Sequence, residues 1–159
     1  MDQELTGTIK ALLDEYKKAI NELIAVIKPL GTQEILSIRD EKTTDGNCRS
    51  VQTILTHVVY AGYGYTNFID KHLGSKKERR PKKFFENTDE YIEDLNGMFA
   101  FCVNFFLEHP NIPLEEYDAS KKILTDWGQV YDIDQIMEHA IVHVLKHRRQ
   151  IQGFLSSQA

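Results

Sequence analysis

The residues of this chain best suited to chemistry are its histidines. Three of the six fall in one segment at intervals of four: His139, His143 and His147. If that segment is helical, residues four apart lie one above the other on a single face, and either adjacent pair can present two imidazole nitrogens to one metal ion. All three cannot share an ion, because eight residues of helix separate His139 from His147 by about 12 Å of rise, against a nitrogen–metal distance of about 2 Å. The spacing therefore offers a two-histidine chelate with one bystander. These residues border an apolar stripe beside Ala140 and Val144, where partial burial makes a stray imidazole costly unless something engages its lone pair. The plainer alternative is a rim pair bonded to carboxylates and water.

A stable site needs a third protein ligand, and His57 is the best candidate, lying among apolar residues beside Val58 and Val59. Taken alone, His57 is more readily explained as a core histidine than as a ligand. His72 and His109 fall at expected helix ends, where solvation or end-capping accounts for them. Three neutral imidazoles would leave coordination positions open, and such a set accepts zinc, nickel, iron or copper. Glu138 and Asp45 are available as general bases, but spacing selects neither, and no residue stands out as catalytic. Directly after His57 comes Tyr60-Ala61-Gly62-Tyr63-Gly64-Tyr65. Tyr60 and Gly64 lie one and two turns beyond His57 and are candidates to line the same cleft, with Gly64 leaving room for a ligand. Equally, the glycines admit close helix packing and the tyrosines cover the core edge. Trp127 is a candidate to close the pocket from a connecting segment, or else a core residue.

Four long helices must position these groups. Leu5, Ile9, Leu12, Leu13, Tyr16, Ile20, Leu23, Ile24 and Ile27 recur at steps of three and four, which predicts a helix over about residues 2–28, stopped by Pro29 and Gly31. A short helical turn is expected around Gln33 to Leu36. Asn47 or Ser50 caps a second long helix running to about Leu73, and Gly74 ends it. Asn87 or Thr88 caps a third, whose apolar face of Tyr91, Leu95, Met98, Phe99, Cys102, Phe105 and Phe106 ends at His109-Pro110. Residues 111–130 read as a long connection crossing the bundle, with a helical piece near Leu114 to Tyr117. Asp132 with Gln135 then forms a capping box for a last helix reaching about Ser156. No strand-like alternation competes and no repeat occurs, so the pattern is all-α, a four-helix bundle with a long crossover connection before the last helix.

The bulk numbers agree with one domain over residues 1–159: 42% hydrophobic and 27% charged residues, with no break in composition. The opening MDQELTGTIK lacks the basic start and apolar centre of a secretory signal, and no apolar run is long enough to cross a membrane, so a cytoplasmic protein is expected. Cys48 and Cys102 are expected to be free thiols. A net charge of −5 argues against general nucleic-acid binding. One local exception is the run Lys71, Lys76, Lys77, Arg79, Arg80, Lys82 and Lys83, opposed only by Glu78. Its plain reading is a solvated interhelix loop, and its alternative an anion-attracting rim that steers a carboxylate- or phosphate-bearing ligand.

Two motifs together resemble the DinB-like family, which includes YfiT-type proteins and thiol-dependent S-transferases. One is the second-helix segment Ile54-Leu55-Thr56-His57-Val58. The other is His143-Val144-Leu145-Lys146-His147-Arg148-Arg149-Gln150-Ile151, similar to the family ending H-x-x-x-H-R-G-Q-I. The resemblance covers nearly the whole chain and implies an up-down-down-up helix order. It implies His57, His143 and His147 as the ligands of one divalent metal, zinc or nickel, and leaves His139 as a supporting or alternate group. Arg149 stands where the family often has glycine, a departure that bears on packing just past the last ligand rather than on the ligands. The function implied is activation of a thiol (S-transferase) or of water (hydrolase) for attack on a small electrophile. Its implied partners are a small-molecule substrate, a low-molecular-weight thiol and a second copy of the chain in a homodimer. The competing class is a non-enzymatic, stress-related binding or scaffold bundle with a structural metal or none.

Overall fold

The computed structural model describes residues 4–157, and within them the chain is mostly helical. Its helices are α1 (Gly7–Ile27), the short α2 (Thr32–Leu36), α3 (Val51–His72), α4 (Thr88–Glu108) and α5 (Ile133–Ser156). Helix α1 starts later than its apolar periodicity suggests, because Gly7 takes a φ of +66°, outside the right-handed helical region. Residues 4–6 precede the helix, and residues 2 and 3 of the expected span lie outside the described residues.

Each of the other long helices begins at a side-chain cap. Ser50, rather than Asn47, accepts from the Thr53 amide at 3.1 Å; Asn87 accepts from the Glu90 amide at 2.9 Å. Asp132 and Gln135 close the reciprocal box, at 2.8 and 3.0 Å. Each satisfies helix-start donors that would otherwise be orphaned, worth about 1 kcal/mol per cap.

Helix α1 packs against α4 and α5, and α3 packs against the same two helices. The shared core holds Tyr16, Ile20 and Leu23 of α1, Ile54 and Leu55 of α3, Leu95 and Met98 of α4, and Ile136 of α5, all essentially inaccessible to solvent. Close approach of α3 to α4 depends on Gly62, since a Cβ there would lie 1.9 Å from the Met98 sulfur. Thr56 of α3 and Tyr91 of α4 place their hydroxyls 2.7 Å apart, and Arg148 of α5 donates to Glu22 of α1.

The connection before α5 departs from the expected one. Residues 114–117 are extended rather than helical: the Leu114 carbonyl accepts from the Asp134 amide at 3.1 Å, and the Glu116 amide donates to Asp132. These backbone groups are satisfied by the start of α5 instead of by one another. Beyond a 3₁₀ turn at Ala119–Lys121, strands β1 (Ile123–Leu124) and β2 (Val130–Tyr131) pair antiparallel, Ile123 facing Tyr131. This hairpin is an element that the sequence pattern did not announce, within a chain that is otherwise mostly helical. Two-residue strands are too short to show alternation, and the tight return between them rests on Gly128 at φ +89°. Among the described residues no helix is long and apolar enough to cross a membrane. Both cysteines are free, Cys102 buried and Cys48 half-buried.

Candidate metal centre

His57 sits in the second turn of α3, and His143 and His147 occupy successive turns of α5, facing it. The apolar faces of the two helices put these histidines at the seam: Thr56 and Val58 beside His57 are buried, as are Ala140 and Val144 on α5. His147 is 3% exposed, and His57 and His143 are half-buried. The three rings meet through one kind of atom. His143 Nε2 lies 3.0 Å from His57 Nε2 and 3.2 Å from His147 Nε2.

Those separations can be tested against coordination geometry. Two nitrogens each about 2.05 Å from one ion stand about 2.9 Å apart at a right angle and about 3.3 Å apart at a tetrahedral angle. The two separations from His143 fall in that interval, and all three ligand atoms lie within 4.8 Å of one another. Among the described residues this is the one group of three histidine, cysteine or acidic side chains whose ligand atoms converge in this way.

Protonation points the same way. Burial, the largest effect, together with the neighbouring imidazoles pushes the His57 imidazolium down to about 4 and that of His143 to about 2. Burial also lowers His147, against the opposing effect of Gln150. All three rings are therefore neutral near pH 7. The Nδ1–H of His147 donates to Gln150 Oε1 at 2.9 Å, which leaves the Nε2 lone pair facing the other two rings. A neutral ring can place one N–H between two of these atoms, but His143 Nε2 has a neighbouring Nε2 on either side, so one proton serves one contact, and burial opposes a second that would charge a ring. The residues present fit a divalent ion bound by three imidazoles.

His139, one turn before the pair, does not converge on that point. Its ring stacks on Trp127 at 4.7 Å and lies 6.4 Å from the His143 ring. Its Nδ1 is 3.5 Å from the Tyr131 hydroxyl of β2. His72 and His109 lie apart from the triad, His109 bonding the Phe105 carbonyl at the end of α4.

A cavity of about 360 Å³ opens beside the triad, lined by His57, His143 and His139 together with Tyr60, Tyr65 and Trp127. Tyr60 and Trp127 thus face the same space as the histidines. Gly64 does not line it: the room left by its missing side chain is filled by the Arg79 guanidinium, 2.3 Å from where a Cβ would stand. Of the two carboxylates considered as bases, Glu138 lines a separate groove between α1 and α5. Asp45 lies near enough to His57 and His147 to interact with them, although its carboxyl is held low chiefly by the Asn47 amide it caps.

The basic run is an interhelix segment whose lysines, Lys71, Lys76, Lys77, Lys82 and Lys83, are exposed, while its two arginines are half-buried and engaged. Arg80 makes a two-pronged ion pair with Asp94 of α4, each bond 2.6 Å. Arg79 lies over the Tyr60 ring at 3.6 Å, and the Lys83 carbonyl accepts from Thr56. Sequence reasoning gave no individual role to Gln150, Tyr65 or Arg79. Gln150 stood in the last-helix motif and Tyr65 in the aromatic segment, but only the fold pairs Arg79 with Gly64. With this geometry in view, the chain matches no family model, and a search of curated proteins finds no similar sequence.

Proposed function

We propose that this protein is a metal-dependent enzyme of the DinB-like type, in which His57, His143 and His147 hold one divalent ion, zinc or nickel. Its substrate is a small electrophile, attacked by a thiol or by water. The observation that carries this reading is the convergence of three neutral, buried-edge Nε2 atoms at 3.0 and 3.2 Å beside an open cavity. A divalent ion bound there supplies Lewis acidity, which lowers the pKa of a thiol or water that reaches it.

The chain's own residues do the rest. Gln150 fixes the His147 tautomer. Burial keeps the imidazoles unprotonated. The Tyr65 and Trp127 rings exclude water from one wall of the cavity, and His139, stacked on Trp127, braces that wall. The fold belonging to this reading is a four-helix bundle of up-down-down-up order. It is supported by the pairing of late α1 with late α5 through Glu22 and Arg148, and of early α3 with early α4 through Thr56 and Tyr91. His57 near the start of α3 meeting His147 late in α5 supports it as well. A homodimer belongs to the same proposal.

The test is elemental analysis of untagged protein beside His143→Ala. The expected result is about one equivalent of metal in the parent and little in the variant, followed by thiol-transfer or hydrolytic turnover in the loaded parent alone. A parent that carries no metal and takes up neither zinc nor nickel overturns the reading, and leaves a helical binding protein whose histidines pack.

A further inference from the structure

Two cations face the cavity beside the triad and take no part in holding the histidines: Arg79 and Lys82, both from the segment between α3 and α4. Both are undersupplied with acceptors. Arg79 offers five N–H donors. Its Nη2 donates to the Tyr60 carbonyl at 2.9 Å, and its Nε is buried without a partner. Its Nη1 reaches only Asp126, at 3.4 Å, and that carboxylate is 71% exposed. A long bond to so exposed a carboxylate contributes little and is readily exchanged. Lys82 donates to the neutral Asn47 amide oxygen at 2.8 Å, and among the described residues it pairs with no carboxylate. The Nε of Arg80 is likewise buried without a partner, but its two Nη atoms differ from those of Arg79 in being held by Asp94 through two bonds of 2.6 Å.

The rest of the cavity is of the opposite character. Tyr65 and Phe68 meet the Trp127 ring edge-on, at 6.1 and 6.0 Å, and form an aromatic wall. Cations at the lip, an aromatic wall and the triad within one concave site define a shape and a charge for the occupant. An inorganic anion would leave the aromatic wall uncovered, and a neutral apolar molecule would leave both cations unmet.

We propose that this cavity binds an organic acid, a small molecule with one anionic group and a planar apolar body, the anion on Lys82 and Arg79 in place of Asp126 and the body against Tyr65, Phe68 and Trp127. This names the substrate class of the metal centre and rests on that reading, and it accounts for why a chain of net charge −5 gathers cations at this one mouth.

Trp127 is the single tryptophan of the chain and lines the cavity, so its fluorescence reports occupancy. The experiment titrates benzoate and its neutral isostere benzamide into chelator-treated and zinc-treated full-length protein. The expected result is that benzoate binds about tenfold tighter than benzamide without metal, that the preference shrinks with salt, and that Lys82→Met removes it. Asp126→Asn, at an exposed position, is expected to tighten benzoate by freeing the guanidinium. Equal binding of the two probes, or no quenching by benzoate, overturns the proposal. A preference that arises only with zinc and survives Lys82→Met also overturns it, placing the anion on the ion and leaving the metal centre intact. A preference that Lys82→Met abolishes, in a protein that takes up no zinc, sustains the organic-acid site while the metal reading fails.

Discussion

An imidazole nitrogen serves a metal only when its lone pair, and not its proton, faces the site. At His147 that choice is made by Gln150, whose Oε1 can only accept and lies 2.9 Å from Nδ1. Gln150→Ala is therefore expected to weaken zinc binding by about tenfold to a hundredfold, whereas Gln150→Glu, still an acceptor, keeps it. Competition against a chromophoric chelator measures both. An unchanged affinity in Gln150→Ala would show that packing alone sets the tautomer. At this scale the sequence was informative about the triad because helical periodicity converts intervals of four residues into distances, and because His57 interrupts an otherwise apolar stretch. It was silent on the Trp127–His139 stack and the Arg79–Gly64 contact. Each joins segments whose proximity exists only after folding, and no periodicity encodes a contact between a loop and a helix.

Elements come together where small residues permit it. Gly62 lets α3 approach α4 so closely that an added methyl would overlap the Met98 sulfur, with the Tyr16 hydroxyl only 3.1 Å away. Met98 is 1% exposed, so it can yield only by repacking within the core. Gly62→Ala is thus expected to destabilise the protein by about 1–3 kcal/mol through overpacking, read as a lower urea midpoint with an unchanged slope. Met98→Ala alone should cost about 2–5 kcal/mol, and the double variant should lose less than the sum of the two single losses; a loss equal to or greater than that sum would refute the steric account. The long helices were legible from their apolar periodicity, and the starts of α3, α4 and α5 from their caps, because both signals are local. The start of α1 was not, since the apolar repeat continues through Leu5 past the one residue, Gly7, whose backbone leaves the helical region. Nor was the hairpin of the crossover, where β1 and β2 are held by pairing with each other and by contacts to α5 and α3.

For the whole molecule the consequence lies in where the triad is anchored. His57 and His143 are 86 residues apart in sequence, so an ion shared between α3 and α5 would close a loop spanning more than half the chain. Holding these ligands together in the unfolded chain costs loop-closure entropy on the order of 4 kcal/mol. An ion that binds the folded state alone stabilises it by about 4 kcal/mol at a thousandfold excess over its Kd. For a domain of this size each kcal/mol raises Tm by about 2–4 °C, so zinc at that excess should raise Tm by about 8–16 °C, with the shift growing with the logarithm of zinc concentration. In His143→Ala the same zinc should leave Tm nearly unchanged, because the central nitrogen that both other rings approach is gone. Scanning calorimetry of the two proteins over a range of zinc concentrations separates the alternatives. A shift of equal size in both would locate the ion away from the α3–α5 seam. A large shift in the parent alone would tie metal, core and helix pairing into one cooperative unit, with the ion holding α5 against α3 at the edge of the cavity that the crossover hairpin overhangs.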